Sequence, residues 1–271
     1  MTVNPPKPLI RKRRSPLLPL QWSLDLYDRV SQWRREDFPL RPEAKRTRYP
    51  LRTIRYWWVT NAMLDECARL GRPPVIADVG CWQGILNRFV PTVEGARWVG
   101  LDWEIQSRWL ELADYDQLIA CDFDQPLPLE SDSVDIAVCL HVLEHLPRPE
   151  FTMGELARVV RPGGVVLIGF PVLPRWMSWL RERQFARQFA SGQRKPGQHC
   201  HAFWPRRSRR LATDAGLEVE YWAGSFLVRS TGSKLENHAW WIRLNQLWGA
   251  ALPALGQEIF LKLRVPTGDG R

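Results

Sequence analysis

The chain has 271 residues, 45% of them hydrophobic, which is enough for one large domain with additions and excludes a wholly disordered polypeptide. No uninterrupted apolar run reaches about 18 residues, and the N-terminal MTVNPPKPLIRKRRSPLLPL has prolines and basic residues where a secretory signal needs an apolar stretch, so a cytoplasmic location is expected. The net charge of +9 divides into +9 over residues 1–74, −9 over 75–174 and +9 over 175–271: an acidic centre between basic flanks that would meet any anionic partner, although solvated surface arginines explain any single charge.

The first 50 residues, with PPKP, RKRRSP and RPEAKRTRYP, read as an irregular basic arm ahead of a helix around Leu51 to Leu70, together an N-terminal part over 1–72. From Pro73 onward, within a domain expected over 73–271, short apolar bursts alternate with helix-length segments. VIADVG is followed by ILNRFV, RWVGLD by IQSRWLELA, then come QLIACD, VDIAVCLHV with FTMGELARVV, and GVVLIGF. Such alternation predicts βαβ units and a mostly parallel sheet covered on both faces. RPGG at 161–164 predicts a helix stop and a tight turn before the fifth strand. The basic, aromatic-rich stretch after it, residues 173–204, is expected to cover the substrate as a lid. WPRRSRRLATDAGLEVEYWAGSFLV predicts a helix and a strand, and QEIFLKLRV a last strand. Between them Trp240, Trp241, Leu244, Leu247, Trp248 and Ala251 share one helical stripe, the usual mark of a core-facing helix.

In VIADVGCWQGIL, Asp78 ends the first strand and Gly80 and Gly84 bracket a turn that lets the backbone approach a ligand closely. A dinucleotide loop, G-x-G-x-x-G, would need glycines at 80, 82 and 85, where Gly80, Trp82 and Ile85 stand, so a pyrophosphate cradle is disfavoured. Asp102 in WVGLDW, 22 residues after Gly80, is spaced to accept both hydroxyls of a ribose, and Trp103 could lie against an adenine ring. Asp122 in CDFD could accept from an exocyclic amine, with Phe123 as an apolar wall. Three acids in order at the carboxyl ends of parallel strands carry far more information than any one of them, since open α/β sheets bind ligands at that edge. Each acid could also serve as an ordinary strand-end cap.

These segments resemble the class I S-adenosylmethionine-dependent methyltransferases, the small-molecule group in particular. The resemblance covers about residues 73–172, with a weaker tail to 264, and is carried most specifically by PLPLESDSVDIAVCLHVLEHL followed by RVVRPGG. It implies a Rossmann-like, doubly wound α/β sheet of seven strands with one antiparallel strand near the edge, and S-adenosylmethionine as cofactor. It implies that Asp78, Gly80 and Gly84 shape the methionine-moiety turn, which also carries Cys81 and Trp82, that Asp102 binds the ribose, and that Asp122 binds the adenine amine. Trp82 departs from the family, which usually has glycine there. Its indole either folds away from the cofactor or blocks the site.

Methyl transfer from a sulfonium is an in-line displacement in which the protein chiefly positions its reactants. No metal is expected, because His199, Cys200 and His201 alone offer too few ligands in a defined geometry, and no pair of cysteines has CxxC spacing. His141, at the end of the fourth strand, is the candidate general base, or else packs against the cofactor or satisfies a backbone group; His145 reads as structural. His199 and His201 are candidate substrate-wall residues. The position of the Asn/Asp-Pro-Pro-aromatic turn found in base-amine methyltransferases holds LHVLEH. A small-molecule or lipid-linked acceptor is therefore expected, with tryptophans beside arginines allowing peripheral membrane contact. The alternatives are an RNA (ribose or tRNA) methyltransferase that uses the basic flanks, and a non-catalytic methyltransferase-like binding protein.

Overall fold

Side chains alternate across the sheet with the two-residue period of a strand. In β4 (Val134–Leu140), Ile136 and Val138 enter one apolar cluster while Ala137 and Cys139 enter the other. Both faces are covered, which is why the central strands read as nearly continuous hydrophobic runs. The computed structural model describes residues 18–32, 39–106, 108–111, 113–191, 197–227 and 232–267. Within them β1 (Val75–Val79), β2 (Arg97–Asp102), β3 (Gln117–Ala120), β4, β5 (Val160–Pro171), β6 (Glu218–Ser225) and β7 (Glu258–Arg264) form a single sheet in the order β3-β2-β1-β4-β5-β7-β6. The first five strands are parallel, and β7 lies antiparallel between β5 and β6, as the sequence resemblance implied. The strand order reverses at β1 and β4, which places a crevice between their carboxyl ends.

One face carries α6 (Pro149–Val159) and α8 (Pro205–Asp214) through Met153, Leu156 and Leu211. The other carries α4 (Ile54–Leu70), whose Trp58 stacks on Tyr221 of β6 and Phe260 of β7 at 5.6 and 5.1 Å between ring centroids. Residues 1–17 of the expected basic arm lie outside the described residues. The described part of the arm is not irregular. It forms α1 (Leu18–Gln21), α2 (Asp25–Gln32) and α3 (Pro42–Lys45), and buries Trp22, Leu26, Tyr27, Val30 and Tyr49 in the α4 layer. Basic composition hid these apolar anchors, which outweigh the proline punctuation once α4 is there to receive them.

Three further expectations are corrected. Residues 105–113, expected as the helix after the second strand, show no helix among the described residues. Among the described residues of this stretch Leu110 is the one buried apolar anchor, too little to stabilise a helix by packing. RPGG does not end the helix with a tight turn before β5. It bulges within β5, since Val134 pairs with Val160 and Ile136 with Val165. The apolar stripe of α9 (Ala239–Ala251) largely faces outward: Trp240, Leu244 and Leu247 are exposed, whereas Asn245, Gln246 and Gly249 are buried. Asn245 accepts from the Leu227 N–H at 2.9 Å, and a Cβ on Gly249 would collide with the carbonyl of Gly224. Close approach to β6, together with burial of Trp241, Ile242 and Ala250, selects the inward face.

Candidate active site

The carboxyl ends of β1 and β2 are locked together by the turn between β1 and α5 (Ile85–Phe89). The N–H groups of Gly80 and Cys81 both donate to the carbonyl of Leu101, at 2.8 and 3.0 Å. Gly80 and Gly84 have φ of +82° and +67°, and a Cβ on Gly80 would collide with Val142, the residue after His141. The turn is thus pressed against the end of β4, which brings the first and fourth strand ends into one site. Trp82, with φ of +45°, adopts the left-handed backbone that glycine normally supplies; its indole is 58% exposed.

Asp78 and Asp102 lie side by side in this crevice, both buried. Burial pushes the Asp78 carboxyl up to about 7, against the hydrogen bond from the Tyr115 hydroxyl at 2.7 Å and with a further push from Asp102. Asp102 accepts the N–H of Trp82 at 2.7 Å and of Trp103 at 2.8 Å. Burial still raises its carboxyl above the usual range. Other acids act on this pair, Asp102 on Asp78 and Glu104 on Asp102, so the crevice is acidic. Cys81 is buried beside it, its thiol pushed up by burial and by both carboxylates. Trp103 stands open to solvent at the rim.

The third strand end is looser. Asp122 is exposed, and one of its oxygens accepts the Asp124 N–H at 2.9 Å, the behaviour of a turn cap. Phe123, expected as an adenine wall, is buried in the core cluster of Leu127 and Met153.

At the end of β4, His141 also has a left-handed backbone, φ +56°, held by its N–H donating to Gly169 at 2.7 Å. Its ring lies between two buried carboxylates, Nδ1 at 3.2 Å from Glu144 and Nε2 at 3.6 Å from Glu258 of β7. Burial and the Arg55 charge act to lower its pKa, but Glu258 and Glu144 outweigh them and leave it raised. Arg55 of α4 meets Glu258 at 3.1 Å. The imidazole is therefore clamped by acids rather than packed on a backbone group. Tyr115, Arg55 and Glu258 carried no motif signal, since each comes from an element remote in sequence and only the fold brings them in, whereas Glu144 stands three residues after His141 in LHVLEH.

The segment after α7 (Arg175–Ala190) returns to this edge, where the N–H groups of Cys200 and His201 donate to the carbonyl of Glu144 at 2.7 and 3.2 Å. His199 thereby reaches His145, their rings edge to face at 4.7 Å. His201 turns away, toward Glu182 at 3.6 Å and the Pro147 carbonyl at 3.2 Å, and ties the base of α7 to α8. Of the two expected wall residues, His199 thus joins the β4 edge and His201 serves a structural tie.

Residues 77–168 match the model of a methyltransferase domain family. A ubiquinone biosynthesis O-methyltransferase from Thiobacillus denitrificans is 30% identical over 189 residues, 65% of this chain and 75% of that protein. One from Cupriavidus pinatubonensis is 31% identical over 128 residues, 44% of this chain and 48% of that protein. In the latter, as in relatives from Pseudomonas syringae and Dechloromonas aromatica, the chain spans about half the length of the relative. Among solved structures, a candidate sarcosine dimethylglycine methyltransferase from Galdieria sulphuraria shares the fold with a TM-score of 0.53 at 16% identity, over 78% of this chain and 85% of that one. Sheet order, the antiparallel β7 and the glycine turn beside two acids define a class I methyltransferase. The chain belongs to the S-adenosylmethionine-dependent methyltransferases.

Proposed function

We propose that the chain methylates a hydroxyl oxygen of a small or lipid-linked acceptor, with S-adenosylmethionine as methyl donor. The observation that carries this reading is the buried Asp78–Asp102 pair at adjacent strand ends, an acidic crevice that a cationic ligand would stabilise in its ionised form. The donor, which carries an ammonium and a sulfonium, fits that need, and it supplies a methyl group already activated for displacement. Asp78 would face the cationic methionine end, and Asp102, with lone pairs beyond those used by Trp82 and Trp103, would accept the ribose hydroxyls. Trp103 is free to cover the adenine, and Asp122 to accept its amine with the oxygen not used by Asp124. His141, its ring nitrogens turned to Glu144 and Glu258, would border the acceptor side of the site. Oxygen as the acceptor atom draws support from the relatives named O-methyltransferases.

The lipid-linked form of the acceptor draws support from the surface. Trp176, Trp179 and Leu180 of α7 are exposed beside Arg183, whose guanidinium lies 3.8 Å from the Trp179 ring centroid, and α9 exposes Trp240, Leu244 and Leu247. Tryptophan and arginine on one face suit an anionic lipid interface. No helix among the described residues is long and apolar enough to cross a membrane, so such contact would be peripheral.

The test is transfer of labelled methyl from S-adenosylmethionine to hydroxylated aromatics with short and long isoprenoid tails, alongside amines and tRNA, with and without anionic vesicles. Label on a hydroxyl, lost in Asp102→Ala, is the expected result, with vesicles favouring the long-tailed acceptors. Label confined to amines or RNA overturns the acceptor, and no binding of S-adenosylmethionine overturns the reading as a whole.

A further inference from the structure

Tyr115 reaches the crevice from a segment that is fixed on both sides. Asn87 of α5 exchanges two hydrogen bonds with the backbone of Asp114, its amide donating to the carbonyl and its oxygen accepting the N–H, both at 2.8 Å. On the other side the Asp116 N–H donates to the Trp98 carbonyl of β2 at 3.0 Å, and the Asp116 carboxylate accepts the Trp98 N–H at 2.7 Å. Between these anchors the Tyr115 ring is pressed against the glycine turn and β2: Cβ atoms at Gly84 and Gly100 would stand 3.4 and 3.1 Å from it, and the Trp98 ring meets it edge to face at 6.2 Å. The ring is thus held in a narrow slot, and its hydroxyl arrives 2.7 Å from Asp78.

Asp78 is 4% exposed, and a carboxylate so buried needs hydrogen-bond donors or a counter-charge to stay ionised. Besides Tyr115, the titratable groups that face it are Asp102 at the end of β2, Cys81 in the turn, Cys139 of β4 and Tyr56 of α4. Each of these is an acid, a thiol or a phenol, so any of them, once ionised, repels the Asp78 charge. The Tyr115 hydroxyl works the other way, because it donates to the carboxylate and favours its ionised form. Burial set against that hydrogen bond leaves Asp78 at about 7, where a change of ligand can decide whether it holds its proton.

We propose that Tyr115 is a positioning residue of the cofactor site: its hydroxyl aims the Asp78 carboxylate, which takes up the cationic methionine end of S-adenosylmethionine in exchange for a proton. In that exchange the Asp78 O–H bond breaks, the proton leaves to solvent, and no covalent bond forms. The carboxylate left behind meets the ammonium of the ligand while the Tyr115 hydroxyl still donates to it. A ligand without that cation has nothing to offer for the proton, so Asp78 and Tyr115 together select for positive charge. The inference rests on the reading of the chain as a binder of S-adenosylmethionine, and adds to it a role for Tyr115 and a proton that binding must release.

The experiment is calorimetric titration of the full chain with S-adenosylmethionine at about pH 6 and about pH 7.5, each in two buffers of different ionisation enthalpy, which counts the protons released. Wild type should release about 0.9 proton at the lower pH and about 0.2 at the higher, and bind about eightfold more tightly at the higher. Tyr115→Phe keeps the ring in its slot and loses only the hydroxyl, and circular dichroism checks that the fold is retained. It should bind more weakly at both pH values, with a wider gap between them, and release more protons than wild type at the higher pH. A tyrosine that served structure alone would weaken binding equally at both pH values and leave the proton count unchanged, and that result overturns the proposal. So does binding by wild type without proton release at the lower pH, or release of the same size in Asp78→Asn. Those outcomes leave S-adenosylmethionine standing as the donor, whereas no binding at either pH removes that reading and this one together.

Discussion

The Lys262 ammonium of β7 lies 2.9 Å from the Glu66 carboxylate of α4, and neither side chain reaches solvent. Arg264 and Arg69 converge on the same carboxylate, at 2.6 and 2.7 Å, so that an ion network, rather than an apolar contact, joins the helix to the sheet here. Burial alone would raise Glu66, but hydrogen bonds from Arg264 and Arg69 and the charge of Lys262 pull it down to about 2. Removing it in Glu66→Ala strands a buried ammonium that keeps only Glu220, 3.3 Å away, and should cost about 3–5 kcal/mol by urea melting. Because the folded value lies below the unfolded one, the stabilisation by Glu66 is complete above about pH 4.5 and declines as pH falls toward 2.

Asp78 behaves oppositely. Its carboxyl is raised to about 7, so ionisation opposes folding: stability is greatest below the unfolded value of 3.8 and falls as pH rises to 7. Asp78→Asn should therefore be more stable than wild type at pH 8, by at most roughly 4 kcal/mol, with the gap shrinking toward pH 5. The same variant should bind S-adenosylmethionine more weakly, since it lacks the charge that faces the cationic end. Melting curves at the two pH values and one binding isotherm check both halves.

Asp102→Ala removes a charged acceptor from the ribose side and leaves the Trp82 and Trp103 N–H groups without their partner. Calorimetry should show S-adenosylmethionine affinity weakened by roughly 1.5–3 kcal/mol or more. An unchanged affinity would mean that the nucleoside lies elsewhere.

Trp82→Gly should change stability by less than about 1 kcal/mol. Relief of the left-handed backbone, about 1 kcal/mol, is offset by the greater freedom of glycine in the unfolded chain. If the indole stands clear of the cofactor, affinity for S-adenosylmethionine stays within a factor of about three. A tenfold gain would identify Trp82 as a partial plug.

Gly249→Ala sets two effects against each other. Alanine favours a helix interior by about 1 kcal/mol, but its Cβ would strike the Gly224 carbonyl, a backbone atom that cannot rotate away. The clash should win, with a net loss of about 1–3 kcal/mol in thermal or urea melts.

The parallel strands were readable from sequence because burial on both faces leaves uninterrupted apolar runs, and the acids at their ends were readable because each follows such a run directly. What failed to show had two causes. Where an element depends on a partner, composition misleads: the basic arm carries Trp22 and Tyr27 into the α4 layer, and α9 presents Asn245 and Gly249 inward to meet β6. Where a site is assembled from distant segments, spacing is silent: Glu258 meets His141 from 117 residues downstream, and His199 meets His145 across 54. Asp78 and Asp102 were found because adjacent parallel strands turn sequence order directly into spatial order.

The placement of β7 between β5 and β6 also sets a timetable. As the chain leaves the ribosome, β1 to β5 can pair as they emerge, but β6 has no neighbour to join until residues 258–264 follow it. The strand that closes this gap also delivers Glu258 to His141 and Lys262 to Glu66. Completion of the sheet, neutralisation of its buried charge and assembly of the His141 clamp thus all wait for β7 and happen together, so a chain lacking β7 would lack the clamp.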